Sequence, residues 1–231
     1  MLDTSRFDLI RLLSHQPLFN GIDRDRLLLL AQASHLHRRV RGEIVRRQGE
    51  PCDALQVVLT GQVKLFVVSR SSQEKVVEIV GPGQSFGESF LFQRQECMWS
   101  SQVLSDALLV SVQRQAVIDE VQRNGTFAML MLARLSRRLH HAVDELQSQS
   151  LCSGVQRVVG YLLREAGEPA QRPKGHTVTL PGTKATIASL LSITPEYFSR
   201  VLSDLEHAGL IKVDRRAITI VDAERLVDCH G

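Results

Sequence analysis

The 231-residue chain has no run of about 18 apolar residues, so a membrane-spanning helix is not expected. Its opening, Met1-Leu-Asp-Thr-Ser-Arg-Phe-Asp, lacks a basic segment followed by an apolar one, and no secretory signal is expected either. Cys52, Cys97, Cys152 and Cys229 lie far apart and form no Cys-x-x-Cys pair. That argues against a zinc ribbon or a disulfide framework and predicts a reducing, cytoplasmic setting. The formal net charge of +3 is too small to establish nucleic-acid binding, so any such reading must rest on motifs. Paired-carboxylate motifs, a Walker loop, G-x-S-x-G and H-E-x-x-H are all missing, which leaves no ground for an enzyme.

What is there is a chain with 43% hydrophobic residues, enough for one or two buried cores. Its best-marked stretch runs from Pro181 to Ile220. Thr194 is an N-cap, Pro195 fits the first helical position, and Gly209 fits the left-handed position after the last turn. Ile193 and Phe198 stand where a hydrophobic staple would close over the cap. Phe198, Val201, Leu202 and Leu205 recur at helical spacing and predict an inward face. The opposite face then carries Glu196, Tyr197, Ser199, Arg200 and Ser203. With the short helical stretch after Thr183 and Lys184, this predicts a helix-turn-helix whose second helix enters a major groove.

That face suits DNA. Arg200 can donate two parallel hydrogen bonds to guanine O6 and N7, Glu196 can accept from cytosine N4, and Ser199 can reach a base or a phosphate. Glu and Arg four residues apart form an ordinary exposed ion pair on most helices. The caps and the preceding turn are what set this pair apart. Downstream, Leu210-Ile-Lys-Val and Ala217-Ile-Thr-Ile-Val flank Asp214-Arg215-Arg216 as a hairpin. Its tip either places Arg215 or Arg216 near phosphates or is a plain polar turn.

Upstream, Ser5–Leu13 and Asp23–Ala33 read as helices, and residues 1 to about 38 as helical overall. From Arg39 to about Val112, short β-rich runs at 56–60, 63–68 and 75–80 alternate with glycines, as in an antiparallel barrel or jelly roll. Such a roll encloses a cavity suited to a small ligand. Between Arg114 and Ser150 lies the longest helical pattern, with Ala128, Leu132, Leu135, Leu139, Ala142 and Leu146 forming an a/d seam. Met129, Met131 and Val143 widen the apolar surface to two faces, one for the roll and one for a second copy. Ser153–Ala166 reads as a helix, Gly167–Gly175 as a connector and Thr177–Leu180 as a short strand.

Glu196-Tyr-Phe-Ser199-Arg200 resembles the Glu-x-x-Ser-Arg recognition signature of the CRP/FNR superfamily of bacterial transcription regulators. The resemblance covers most of the chain, including Gln16-Pro-Leu-Phe-Asn-Gly-Ile at the entry to the roll and Gly83-Gln-Ser-Phe-Gly87-Glu88 inside it. It implies an α+β architecture in three parts. These are a cyclic-nucleotide-binding-like roll over residues 1–113, a long dimerisation helix over 114–150, and a winged helix-turn-helix over 151–231. It also implies a homodimer that reads a TTGAT-like palindrome in double-stranded DNA through Glu196, Ser199 and Arg200, with RNA polymerase as a further partner and no membrane. Thr183, Lys184, Thr194, Tyr197, Arg215 and Arg216 complete the candidate DNA-binding set. Ser192 and Arg215 depart from the pattern, standing where such proteins often have glycine.

The resemblance places an effector pocket around Gly87, Glu88, Met98, Trp99, Met131 and Leu135. Nucleotide-binding members follow Gly-Glu with an Arg and a Ser or Thr about ten residues later, where this chain has Met98 and Trp99. Without that cation a cyclic phosphate would be poorly held, Arg94 being displaced, so cyclic AMP and cyclic GMP are not expected. Glu88 then reads as a turn carboxylate accepting backbone N–H bonds. No cysteine precedes Cys52, so the iron–sulfur cluster of the oxygen-sensing branch is not expected. Arg134-Leu-Ser-Arg-Arg-Leu-His140 and Arg157-Val-Val-Gly-Tyr-Leu-Leu are similar to the Dnr-type branch, which implies haem b and nitric oxide as candidate cofactor and effector. His15 and His140 are the candidate axial ligands, with His35, His37 and Met98 also conceivable. A roll that is only an empty dimer scaffold and a cyclic-nucleotide-responsive roll are the alternatives.

Overall fold

The computed structural model describes residues 4–93, 96–167 and 176–228. They form two compact units, Met1–Val67 with Val77–His140 and Val68–Val76 with His141–Gly231. Among the described residues, no helix is long and apolar enough to cross a membrane.

The first unit opens with α1 (Thr4–Ser14) and α2 (Arg24–Gln32), joined through a tight helical turn at Pro17–Phe19. Asp23 caps α2 by accepting a hydrogen bond from the Arg26 backbone N–H at 3.0 Å. The roll follows as β1 (Ser34–Arg39), β2 (Ile44–Arg46), β3 (Ala54–Val68), β4 (Glu74–Val80), β5 (Ser85–Phe86), α3 (Glu88–Gln93) and β6 (Ser100–Gln113). The sheet order is β1-β6-β3-β4, with β2 added to β6 and β5 to β3.

Three expectations change here. Ser34–Arg39 lies partly in the stretch read as helical, yet it is a strand pairing antiparallel with Val112–Ala107. The ladder to β6 overrides the local pattern, as sheet context commonly does. The runs at 56–60 and 63–68 are one strand, bent where its register against β6 shifts between Val58 and Val63. Gly61 makes the bend possible: it has φ +79°, and a Cβ there would stand 2.5 Å from the Asp106 carbonyl oxygen. Finally, residues 114–150 are not one helix. They divide into α4 (Arg114–Arg123) and α5 (Gly125–Leu151), because Asn124 is extended at φ −126° and its Oδ1 accepts from the Phe127 N–H to start a new helix.

The core of this unit joins Leu13, Phe19 and Leu30 of the N-terminal elements to Leu55, Val57, Val110 and Val112 of the sheet, and to Phe127 and Met131 of α5. A second cluster, including Val58, Val63, Leu65, Phe86 and Leu109, fills the roll.

In the second unit, α6 (Gly154–Glu165) starts from a capping box between Ser153 and Gln156. Then come β7 (Thr177–Thr179), α7 (Lys184–Leu190), α8 (Pro195–His207), β8 (Ile211–Asp214), β9 (Ala217–Ile220) and α9 (Ala223–Asp228). The three strands form a sheet of order β7-β9-β8. Val158, Leu162, Ile187, Phe198, Ile218 and Leu226 are fully buried and make its core. Most of the connector read at 167–175 falls outside the described residues, as do Arg94 and Cys229.

Candidate nucleic-acid interface and the roll behind it

Two helices and a hairpin position the candidate DNA contacts. Thr183 caps α7, its Oγ1 accepting from the Thr186 N–H at 3.1 Å, and Thr194 caps α8 in the same way through Tyr197 at 3.2 Å. Between them, Leu191 ends α7 and Ser192 turns the chain at φ +56°. The Ser192 N–H reaches the Ser189 carbonyl and the Ile193 N–H the Ala188 carbonyl, the two bonds of a Schellman turn. Gly209 closes α8 with the same pair of bonds, to Glu206 and Leu205. Ser192 and Arg215, the two departures from the glycine pattern, are two of the three non-glycine residues with positive φ among those described. The chain keeps the turns and gives up the glycines.

On α8, Phe198, Val201, Leu202 and Leu205 are buried while Glu196, Ser199 and Arg200 are exposed. The pairing of Glu196 with Arg200 that their spacing permits does not form among the described residues. Both head groups face solvent with their hydrogen-bonding capacity unspent. Tyr197 differs from the other outer-face candidates. It is half-buried, and a Cβ on Gly154 would lie 2.4 Å from its Cε1, so its ring packs on the first residue of α6. Lys184 is half-buried at the start of α7, while Arg215 and Arg216 are exposed in the two-residue turn between β8 and β9.

The roll holds a site that sequence reasoning did not see. Glu88 has no solvent exposure, and three side chains surround its carboxylate. Ser85 Oγ donates at 2.5 Å and Arg134 Nε at 2.8 Å to Oε1, while Arg138 Nη1 donates at 2.7 Å to Oε2. Arg138 Nε also donates to Glu78 at 2.8 Å, and Arg134 Nη2 to the Ser85 carbonyl at 2.5 Å. Burial pushes the Glu88 carboxyl up, but Arg138, Arg134 and Ser85 outweigh it, so the group is held below the usual carboxylate range. Glu88 is therefore neither free for a ligand nor served mainly by turn N–H groups. Its partners come from α5. The signal was present in the sequence: Phe127 and Met131 define a buried stripe on α5, and Arg134 and Arg138 continue it at helical spacing.

Of the proposed pocket residues, Gly87 and Trp99 line a cavity of about 10 Å³ together with Arg46, Cys52, Phe90 and Cys97. That holds about one water, against several hundred Å³ for an ordinary ligand site. Met98 is 61% exposed, Met131 belongs to the helical core, and Leu135 is half-buried; none of the three lines the cavity. His15 and His140 are both exposed, the former with Nδ1 2.7 Å from the Arg11 carbonyl oxygen. Neither lines the cavity beside Gly87. Among the described residues, no cluster of three or more His, Cys, Asp or Glu could hold a metal ion.

Along the seam of α5, Leu132, Leu139, Ala142 and Leu146 are exposed and Ala128 and Leu135 are intermediate, while Phe127 and Met131 beside it are buried.

An antiparallel roll, a long helix with a bare apolar face and a winged helix-turn-helix define a class of DNA-binding transcription regulator. Profiles of two domains match accordingly: the cyclic nucleotide-binding domain over residues 37–124 and the Crp-like helix-turn-helix domain over 156–229. The chain belongs to the CRP/FNR family. It is similar to the CRP-like cAMP-activated global transcriptional regulator of Mycobacterium tuberculosis, 26% identical over 93% of this chain and 96% of that protein. DNR from Pseudomonas aeruginosa is 34% identical over 96% of each chain, with a TM-score of 0.49. FixK2 from Bradyrhizobium japonicum matches the fold at a TM-score of 0.77, with 21% identity over 86% of this chain and 98% of that one.

Proposed function

We propose that this regulator acts in the cytoplasm as a homodimer that reads a TTGAT-like palindrome and adjusts its grip through the state of the roll. One observation carries the reading: Glu196, Ser199 and Arg200 are exposed together on α8, one turn from the cap, while the opposite face of the helix is buried. A twofold molecule would present that face to two half-sites one helical turn apart. The exposed Leu132, Leu139 and Leu146 supply a face for the second copy. RNA polymerase is the further partner that such a role implies.

The relatives named for cyclic AMP do not carry that ligand to this chain. Two arginines already neutralise Glu88, and the roll leaves about 10 Å³ beside Gly87. Nor does haem with nitric oxide find a described histidine at that cavity. No Soret band is expected after haem reconstitution, and one that shifts on nitric oxide would restore haem as the cofactor. The DNA reading is tested by anisotropy on a TTGAT palindrome and on random duplex. Arg200→Ala should cost about 1–3 kcal/mol on the palindrome and little on random DNA. Equal losses on both would make Arg200 a phosphate contact and remove the proposed specificity.

A further inference from the structure

Cys52 and Cys97 stand 45 positions apart in the chain, yet the roll brings them into one buried cluster and onto the wall of one small cavity. The backbone arranges this. Pro51 and Glu96 form an antiparallel bridge, the Cys97 N–H donates to the Glu50 carbonyl at 2.9 Å, and the Gly49 N–H donates to the Cys97 carbonyl at 2.8 Å. Both side chains are buried against Phe90 and Trp99, and both line the cavity of about 10 Å³ beside Arg46. The Cys52 thiol also points to the carbonyls of Gly87 at 3.8 Å and Ala54 at 3.9 Å.

We propose that Cys52 and Cys97 are an oxidation site, a dithiol that closes to a disulfide on reaction with a peroxide, and that this bond is a signal the roll passes to α5. Each step balances. The Cys52 thiolate attacks one oxygen of hydrogen peroxide, forming a sulfenic acid and releasing hydroxide. Cys97 then attacks the Cys52 sulfur as its thiol proton departs, and the hydroxyl leaves as water. Overall, two thiols and one peroxide give one disulfide and two waters. The division of roles follows from the surroundings. The hydrogen bond from Cys97 and the positive charge of Arg46 hold the Cys52 thiol below its ordinary value against the opposing effect of burial. The same contact, with burial, pushes the Cys97 thiol up. Cys52 is thus the attacking group and Cys97 the resolving one.

The consequence lies one residue away. Cys52 is bonded to the Gly87 carbonyl, and Gly87 precedes Glu88, the carboxylate clamped by Arg134 and Arg138 of α5. Drawing the two sulfurs together to the covalent distance of about 2.05 Å moves the wall against which Gly87 packs. The shift is delivered to the one helix that carries both the clamp and the bare apolar seam.

The oxidation site stands by itself, and its effect on DNA rests on the function proposed above. The test uses the full-length protein with Cys152→Ser and Cys229→Ser, fully reduced and then titrated with hydrogen peroxide. Peptide mapping should find Cys52 joined to Cys97, and dithiothreitol should reverse it. Cys97→Ser should instead leave Cys52 as a sulfenic acid, which dimedone labels when the oxidised protein is unfolded in its presence. Operator affinity should change by about 5-fold or more on oxidation, a usual size for coupling between sites, and Cys52→Ser should abolish the change. Failure of the Cys52–Cys97 link to form overturns the site. A link that forms while operator affinity stays constant overturns the signal. Loss of operator binding in the reduced protein would count against the DNA reading, and the mapping would still decide the site.

Discussion

Arg134 Nε lies 2.8 Å from Oε1 of Glu88, a carboxylate with no solvent exposure, and Arg138 holds its other oxygen at 2.7 Å. The pairs span 46 and 50 positions in the sequence, so they tie the small helix α3 to α5 with charge-assisted bonds. A carboxylate of this kind is costly to desolvate and more costly to leave unpaired.

Removing the charge of Glu88 should therefore unfold more than a pocket. Glu88→Gln leaves Arg134 without a carboxylate partner and Arg138 with Glu78 alone, and the expected loss is about 3 kcal/mol in urea unfolding at pH 7. The pH dependence has a definite sign. Because the folded carboxyl titrates below its ordinary value, its contribution is fully present above about pH 4.3 and is lost as pH falls through the folded value. The wild-type protein should weaken steeply on that acid limb, and Glu88→Gln should flatten it. A variant with the wild-type acid profile would show that the clamp contributes nothing.

Ser192 and Gly209 occupy the same position in two Schellman turns, at φ +56° and +73°. A left-handed conformation costs a side-chain-bearing residue about 1–2 kcal/mol, offset in part by the larger unfolded-state entropy of glycine. Ser192→Gly should raise stability by about 0.5 kcal/mol. Gly209→Ala should lower it by about 1 kcal/mol, and strain alone is responsible, since nothing lies within 4 Å of the new Cβ. Thermal or urea midpoints of the two variants should move in opposite directions.

The elements of the second unit were legible because each carries its own boundary chemistry. Thr194, Pro195 and Gly209 mark α8 within one or two residues on local grounds alone. The roll was legible only as a class. Its strands depend on partners far away, so Ser34–Arg39 read as part of a helical region until β6 was there to pair with it. The same distance hid the site. Nothing local links Glu88 to Arg134 and Arg138, or Cys52 to Cys97, and the wide spacing that argues against a disulfide framework does not show that the fold makes Cys52 and Cys97 neighbours. Met98, which the family resemblance assigns to the pocket, faces solvent instead.

Gly154 is needed by the recognition helix. A methyl group there would lie 2.4 Å from Cε1 of Tyr197 and 3.0 Å from Cζ, so the ring must move. Gly154→Ala should cost about 1–3 kcal/mol by overpacking, despite the better helix propensity of alanine. Tyr197→Ala in the same protein should remove the clash and restore part of the loss. The double-mutant cycle on stability decides the matter, and additive effects would mean that the two residues do not share the contact.

Leu139 is 65% exposed on α5 and Leu146 66%, whereas Phe127 and Met131 of the same helix are buried. On a lone chain, Leu139→Glu would be a surface change worth less than about 0.5 kcal/mol, because no contact is lost. In a twofold dimer the same substitution acts twice and buries two like charges against each other. Sedimentation should then find the wild type as a dimer at micromolar concentration and Leu139→Glu as a monomer with unchanged helical content. Affinity for the full palindrome should fall to that for a single half-site. A variant that still sediments as a dimer would place the twofold interface elsewhere and leave these leucines unexplained.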